Sequence, residues 1–159
     1  MRMIVMTLVL LFVTPGPRDR YAFRYAVDGD TIDVAGIGRV RLLGIDAPEI
    51  GAGMDTPAPF AREARDHLAS LLVTRWLRLE MDGEQRDRYA RLLAYVVRED
   101  GLFVNAEMLR AGLARVSARV PLRRLPELKA AERAAQQSRL GIWGGRPSLP
   151  VESYRVPRR

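Results

Sequence analysis

Three carboxylates stand close together in the first third of the chain, beside short apolar runs. Asp30 closes the turn at residues 28–30, and Asp46 and Glu49 follow the apolar run that ends at Ile45. If the strands that carry Asp30 and Asp46 pair, the two carboxylates lie near one end of the same sheet. Adjacent carboxylates repel each other, and a divalent cation between them is the simplest relief.

The metal ligands available near these carboxylates are oxygen atoms. The chain has no cysteine, which excludes disulfides, zinc–thiolate sites and thiol nucleophiles, and its one histidine, His67, disfavours a catalytic triad or a multi-histidine site. Oxygen-only ligation indicates a hard ion, Ca²⁺ or Mg²⁺. The alternative is structural: Asp28 and Asp30 would form an Asx turn, and residues 46–49 would cap a loop.

Two arginines extend this constellation. Arg41 lies between Val40 and Leu42 on a predicted strand, and Arg91 directly precedes another predicted strand. Two guanidinium groups beside a metal would suit a phosphodiester, whose negative charge grows in the transition state. The metal would act as a Lewis acid and as a template for water, and Glu49 is near enough in sequence to be the general base.

The composition fits one basic globular domain. The chain has 159 residues, 48% of them apolar, and 26 Lys and Arg against 19 Asp and Glu, for a net charge of +7. This charge favours a polyanionic partner such as nucleic acid or an anionic membrane surface. Because Lys129 is the sole lysine, a coding bias towards arginine is the alternative explanation of the charge.

The hydrophobic pattern predicts a mainly β protein with helices, in the α+β class. Five strands and about three helices at this size favour a five-stranded OB-fold barrel. We expect Thr56 and Asn105 to cap the first two helices, and His67 to lie on the surface. The predicted strands are residues 21–27, 31–34, 39–45, 76–81 and 92–97, and the predicted helices follow Thr56, follow Asn105 and span 126–140.

The chain divides into three predicted parts. Residues 1–19 carry an uncharged, mostly apolar run at 3–13, which is too short to span a membrane and has the length of a signal-peptide core. Residues 14–17 make a poor cleavage site, so an uncleaved anchor with weak membrane association is the alternative. We expect a secreted or periplasmic domain at 20–143 and a basic tail at 144–159.

Four sequence blocks carry a family resemblance. They are VDGDT at 27–31, RLLGIDAPE at 41–49, DRYARLLAYV at 87–96, and VN at 104–105 with AGLA at 111–114. In order and spacing, from about residue 23 to residue 143, the chain resembles the thermonuclease family typified by staphylococcal nuclease.

The resemblance implies an OB-fold enzyme that uses Ca²⁺ to cleave DNA and RNA, leaving a 3′-phosphate and a 5′-hydroxyl. It further implies a monomer without a stable protein partner. The resemblance implies that Asp30, Asp46 and the Ala47 carbonyl form the metal site. The implied catalytic residues are Glu49, as general base, and Arg41 and Arg91, which contact the phosphate. The implied substrate-binding residues are Arg88 and Tyr89.

Some positions depart from the family pattern. Ala90 stands in place of a glycine, Ala118 and Val120 fall where two pocket tyrosines are found, and the loop at 50–59 lacks Lys and Arg. We therefore expect weaker base stacking in the nucleotide pocket. A non-catalytic binding module is the alternative function, since degenerate copies of this fold exist. The presence of all five acidic and basic site residues favours an enzyme.

Overall fold

A computed structural model describes residues 20–51 and 56–144 of the chain. The predicted leader at 1–19, residues 52–55 of the predicted loop and residues 145–159 of the predicted tail lie outside the described residues. The strands are β1 Tyr21–Ala26, β2 Thr31–Val34, β3 Gly38–Leu42, β4 Ile45–Asp46, β5 Trp76–Glu80, β6 Leu92–Arg98 and β7 Arg115–Val116; the helices are α1 Ala61–Leu72, α2 Val104–Arg110 and α3 Leu125–Gln137.

Five of these strands close a barrel in the order β1-β2-β3-β6-β5, with β5 returning to pair with β1. The predicted antiparallel meander of β1, β2 and β3 is confirmed, and β3 pairs with β6 in parallel. Alternate apolar side chains of β2 and β3 point into the barrel, where they are fully buried. The closed five-stranded barrel with three helices confirms the predicted α+β OB-fold.

The third predicted strand is two strands in the structure. β3 ends at Leu42, and the chain turns at Gly44, whose φ is 81°, before β4 begins. A side chain at Gly44 would come within 2.6 Å of Leu128 Cδ1, so both the left-handed backbone and the close packing of α3 favour glycine here. The turn directs Asp46 out of the barrel, and β4 pairs with β7 instead.

Helix α1 differs from its prediction at two points. It begins at Ala61 after Phe60, so Thr56 is not its cap. The predicted apolar face is confirmed, with Ala64 and Leu68 fully buried, but His67 is buried too, at 8% exposure. Position 67 lies one turn from Ala64, so it lies at the edge of the same buried face. Burial lowers the pKa of His67.

Asn105 links α2 to the barrel instead of capping it. The helix begins at Val104, two residues earlier than predicted. The Asn105 amide nitrogen donates to the Leu43 carbonyl oxygen at 2.9 Å, and its amide oxygen accepts from the Val96 backbone nitrogen at 2.9 Å. One bond goes to the residue after β3 and the other to the interior of β6, so Asn105 satisfies backbone groups of two neighbouring barrel strands.

Helix α3 is held against the barrel through its first turn. Glu80 at the end of β5 forms ion pairs with Arg123 at 3.6 Å and Arg124 at 3.5 Å. The Tyr95 hydroxyl donates to Asp82 Oδ2 at 2.8 Å, and burial together with this bond raises the pKa of Tyr95 to about 12.

None of the helices in the described part of the chain has the length and apolar character needed to span a bilayer.

We predict that Asn105→Ala destabilises the protein by about 2–3 kcal/mol, because it leaves two buried backbone groups without partners. Urea unfolding followed by circular dichroism measures the loss. Arg110→Ala is the matched control on the same helix. Arg110 is exposed, and among residues 20–51 and 56–144 it forms an ion pair only with Glu107, so its loss should cost about 0.5 kcal/mol or less. Equal effects of the two substitutions would contradict this role of Asn105.

Candidate active site

Asp30 is a buried carboxylate at the mouth of the barrel. It closes the turn between β1 and β2 and is only 3% exposed. The Asp28 Oδ1 atom accepts from the Asp30 backbone nitrogen at 3.0 Å, so Asp28 does form the Asx turn that the sequence allowed. A side chain at Gly29 would lie 2.6 Å from the Cβ atoms of both Ala47 and Ala64. The glycine therefore permits the close approach that sets Asp30 against the chain at Ala47.

The guanidinium of Arg41 lies between the two aspartates. Its Nη2 atom donates to Asp30 Oδ2 at 3.1 Å and to Asp46 Oδ1 at 2.7 Å, and its Nη1 atom donates to the Ile45 carbonyl at 2.9 Å. The Ala47 backbone nitrogen also donates to Asp30 Oδ2, at 3.0 Å. The structure thus brings together both carboxylates and the first arginine named from the sequence.

The surroundings of Asp30 shift its pKa in opposing directions. Burial is the largest influence and raises its pKa, Arg41 lowers the pKa, and the neighbouring Asp28 raises it again. Hydrogen bonds from Ala47 and Thr31 lower it slightly, and the net result is a pKa raised from 3.8 to about 6. A nearby cation favours the charged form of such a carboxylate.

Arg91 reaches the same cluster from the start of β6. Its Nη1 atom donates to Thr31 Oγ1 at 3.2 Å, and the Thr31 hydroxyl in turn donates to Asp30 Oδ1 at 3.0 Å. Asp87 holds the other side of Arg91, accepting from its Nε atom at 2.8 Å and from its backbone nitrogen at 3.0 Å. Burial raises the pKa of Asp87, but these hydrogen bonds and one from Tyr89 outweigh burial and lower it overall.

Thr31 and Asp87 were not singled out from the sequence, although both lie in blocks that carry the family resemblance. Thr31 is the last residue of VDGDT, and Asp87 is the first residue of DRYAR. The available signal was their place beside named site residues: Thr31 follows Asp30, and Asp87 precedes Arg91 by one helical turn's spacing. Only the hydrogen bonds reveal that Thr31 connects the second arginine to the buried carboxylate and that Asp87 holds this arginine from the other side.

Arg88 and Tyr89 form an exposed aromatic–cation group next to Arg91. The Tyr89 side chain is 64% exposed, and the guanidinium carbons of Arg88 and Arg91 lie 4.8 Å and 5.4 Å from its ring centre. Between them and Arg91, Ala90 adopts a left-handed backbone with φ of 60°. This conformation is natural for glycine and strained for alanine, which is consistent with the family having glycine at this position.

Glu49 stands apart from this cluster. It is exposed, and its backbone carbonyl accepts from the Ala58 nitrogen at 3.0 Å. Within residues 20–51 and 56–144, its carboxylate forms neither an ion pair nor a hydrogen bond. Ala118 and Val120 are also exposed, Val120 at 62%, and neither side chain has an aromatic ring.

The residues present suit a hard cation. Asp30 and Asp46 approach the same nitrogen of Arg41, so positive charge already lies between their oxygens. The described residues contain no cluster of three or more acidic or histidine side chains, so other ligands would be carbonyl oxygens, such as that of Ala47, and water. Ca²⁺ accepts six to eight such oxygens in flexible geometry.

Comparison with known proteins identifies the family of this chain. A family model described as "Staphylococcal nuclease homologue" matches residues 39–145. The chain belongs to the staphylococcal nuclease family. Like the relatives below, this nuclease acts on nucleic acid.

Relatives in this family are nucleases by name. The thermonuclease of Staphylococcus intermedius is 35% identical over 129 residues, covering 79% of this chain and 76% of its own. An uncharacterized endonuclease of Escherichia coli is 34% identical over 132 residues, covering 81% and 80%. Endonuclease YncB of Bacillus subtilis is 36% identical over 124 residues, covering 74% of this chain and 58% of its own.

We predict that Asp30→Asn changes the pH dependence of stability. The raised pKa means that folded Asp30 binds its proton more tightly than in the unfolded chain, so the parent loses stability as pH rises from about 4 to about 6. The variant lacks this loss. Relative to that of the parent, the free energy of unfolding of the variant should therefore rise by about 2–3 kcal/mol across that window.

Urea unfolding in EDTA at several pH values tests this expectation. Asp66→Asn is the control, because Asp66 lies on the outer surface of α1 and pairs with Arg65 at 2.7 Å. The difference between Asp66→Asn and the parent should stay nearly constant over the same window. If the Asp30→Asn difference is equally flat, burial does not control the charge of Asp30.

We predict that Ala90→Gly stabilises the protein by about 0.5–1 kcal/mol, because glycine adopts the left-handed backbone without strain and this outweighs its greater freedom in the unfolded chain. Thermal unfolding measures the change. Ala134→Gly is the control, since Ala134 is exposed within α3 and glycine there should cost about 1 kcal/mol. A loss of stability in Ala90→Gly would contradict the explanation by backbone strain.

Proposed function

We propose that this nuclease is a Ca²⁺-dependent phosphodiesterase that hydrolyses DNA and RNA to products with a 3′-phosphate and a 5′-hydroxyl. The observation that supports it is the continuous hydrogen-bonded network from Asp46 through Arg41, Asp30 and Thr31 to Arg91. Two guanidinium groups and two carboxylates share this network, at the mouth of one barrel.

Asp30, Asp46 and the Ala47 carbonyl are the proposed metal ligands. When bound there, Ca²⁺ would supply Lewis-acid chemistry to a phosphate oxygen and orient water. The burial of Asp30 supports this role, because a buried carboxylate with a raised pKa gains more from a cation than an exposed one does. Magnesium remains chemically compatible with oxygen ligands, so the ion itself must be tested.

Arg41 and Arg91 are proposed to bind the non-bridging oxygens of the scissile phosphate. Each guanidinium stays charged at any working pH and offers paired donors. As the water oxygen forms its bond to phosphorus and the bond to the 5′ oxygen breaks, negative charge accumulates on these oxygens, so the hydrogen bonds strengthen in the transition state. Asp87 keeps Arg91 in place during this step.

Glu49 is proposed as the general base that takes the proton from the attacking water. Its exposed position gives its carboxylate contact with solvent. The departing 5′ oxygen takes a proton from water, which yields the 5′-hydroxyl.

Arg88 and Tyr89 are the proposed substrate-binding residues beside the scissile phosphate. With small side chains at Ala118 and Val120, Tyr89 is the aromatic group nearest Arg91 along the chain, and it is widely accessible. Contact of Tyr89 and Arg88 with sugar and phosphate, which every nucleotide carries, supports activity on both DNA and RNA.

The proposed domain organisation is a leader at 1–19, a nuclease domain at 20–143 and a basic tail at 144–159. We propose export of the nuclease as a monomer, to a secreted or periplasmic location. Residues 3–13 would give weak membrane association if the leader is retained. Edman sequencing of the protein recovered from cells and medium would locate its mature N-terminus.

We predict that Arg41→Ala and Glu49→Gln each lower kcat on heat-denatured DNA by about 100-fold or more, because each removes a group that acts in the transition state. The assay compares Ca²⁺, Mg²⁺ and EGTA. Arg39→Ala and Glu63→Gln are matched controls on β3 and α1, and both should stay within about twofold of the parent.

Two outcomes would overturn the proposal. Full activity in EGTA would remove the metal from the reaction. An inactive parent that is folded by circular dichroism, in the presence of Ca²⁺, would favour the second candidate function: a nucleic-acid-binding module that keeps the residues without the chemistry.

A further inference from the structure

A second concave surface borders the proposed active site on the side of Asp46. It is a cavity of about 430 Å³ whose lining includes Asp46, Ala47, Pro48, Phe60, Arg115 and Ile142. We call it the Asp46 groove. Two of its lining residues are the proposed metal ligands, so a strand bound at the scissile phosphate lies at the edge of this groove.

Arg115 provides the groove with a cation that is free to bind an anion. In the pairing of β4 with β7, Arg115 is the direct partner of Asp46. Asp46 nevertheless forms its ion pair with Arg41, and no carboxylate in the described part of the chain lies within ion-pair distance of Arg115. Its guanidinium lies 5.1 Å from the ring centre of Trp143 and is exposed, which leaves its donors available for a phosphate.

The apolar part of the groove is formed partly by a strained residue. Phe60 has φ of 68° and ψ of 2°, a left-handed conformation that is an outlier for a bulky side chain. Its ring is half-buried, packs against the core and lines the groove beside Pro48. Backbone strain of this kind is found at ligand sites, where the surrounding structure holds a side chain in a required place.

We infer that the Asp46 groove is a subsite for a second nucleotide of the substrate strand. Arg115 takes the phosphate of that nucleotide, and its base lies against Phe60 and Ile142. The volume is within the range of small-ligand pockets, and base contact with an apolar wall tolerates any sequence. The subsite rests on the proposed phosphodiesterase function, which supplies the strand.

This subsite places base binding beside Asp46 and Ala47, at residues other than Tyr89. Ala118 and Val120 are small or aliphatic and exposed, so the segment after β7 offers no aromatic surface for a base. The Asp46 groove offers an aromatic ring, apolar side chains and a cation in one cavity. Contact with nucleic acid there therefore depends on substrate length, since a one-nucleotide ligand at the scissile position does not reach it.

The test compares Arg115→Met with the parent on two single-stranded substrates, a dinucleotide without terminal phosphates and a dodecanucleotide. The one phosphate of this dinucleotide is the scissile one, so it offers no phosphate to Arg115. Methionine keeps the apolar stem and removes the charge. On the dodecanucleotide, KM should rise about 10-fold with little change in kcat, because one charge-assisted phosphate contact is lost. The slope of log KM against log salt should fall by about 0.7. On the dinucleotide, kcat/KM should stay within about twofold.

Two further variants separate charge from packing. Arg115→Lys keeps a cation at the groove, so its KM on the dodecanucleotide should be close to that of the parent. Arg133→Met is the matched control, because Arg133 lines a different cavity, of about 410 Å³, next to Leu125 and Pro126. This variant should have the KM and kcat of the parent on both substrates, apart from a small change in the salt dependence of KM.

Three results would overturn the subsite. Equal losses on both substrates would mean that Arg115 acts through the active site or the fold. Unchanged KM on the dodecanucleotide would mean that no phosphate binds there, and an equal loss in Arg133→Met would indicate a nonspecific charge effect. If the parent cleaves neither substrate, the proposed function fails, and anisotropy of a labelled dodecanucleotide still reports whether Arg115 contributes to binding.

Discussion

One guanidinium group joins the parts of this active site. Arg41 brings a carboxylate from the turn before β2 and a carboxylate from β4 to the same nitrogen atom. Without it, Asp30 would be a buried charge next to another carboxylate, a situation that costs several kcal/mol and that proteins avoid by protonation or by pairing. The ion pairs therefore set the charge and the position of the residues proposed to hold the metal.

The barrel makes this arrangement rigid. The register of β2 with β3 places Thr31 opposite Arg41, and the parallel pairing of β3 with β6 brings the start of β6, and with it Arg91, to the same end. Thr31 then connects the two arginines through Asp30. A closed barrel has no free edge along which one strand could slip, so the strand registers that bring these residues to one end are fixed.

The departures from the family pattern affect the periphery of the site more than its centre. Ala90 adopts the left-handed backbone at the cost of strain, and Arg91 still reaches Thr31. The exposed segment at Ala118 and Val120 offers little to a base, whereas the Asp46 groove offers an aromatic wall and an unpaired cation. In this nuclease the proposed metal ligands and arginines remain in contact, and the departures lie on the surface around them.

The sequence by itself determined the five barrel strands, the three helices and the residue types of the site. Strand alternation and helical periodicity are local signals, and the four blocks place every acidic and basic site residue in order along the chain. Four local predictions failed: Thr56 does not cap α1, Gly44 divides a strand because α3 packs against it, Asn105 bonds to backbone groups of the barrel instead of a helix end, and His67 is buried at the edge of an apolar face. Which side chains meet was also decided only by the tertiary structure. The bond of Thr31 to Arg91, and the groove between β4, β7 and the start of α1, arise from contacts between segments far apart in sequence, and no local pattern encodes such contacts.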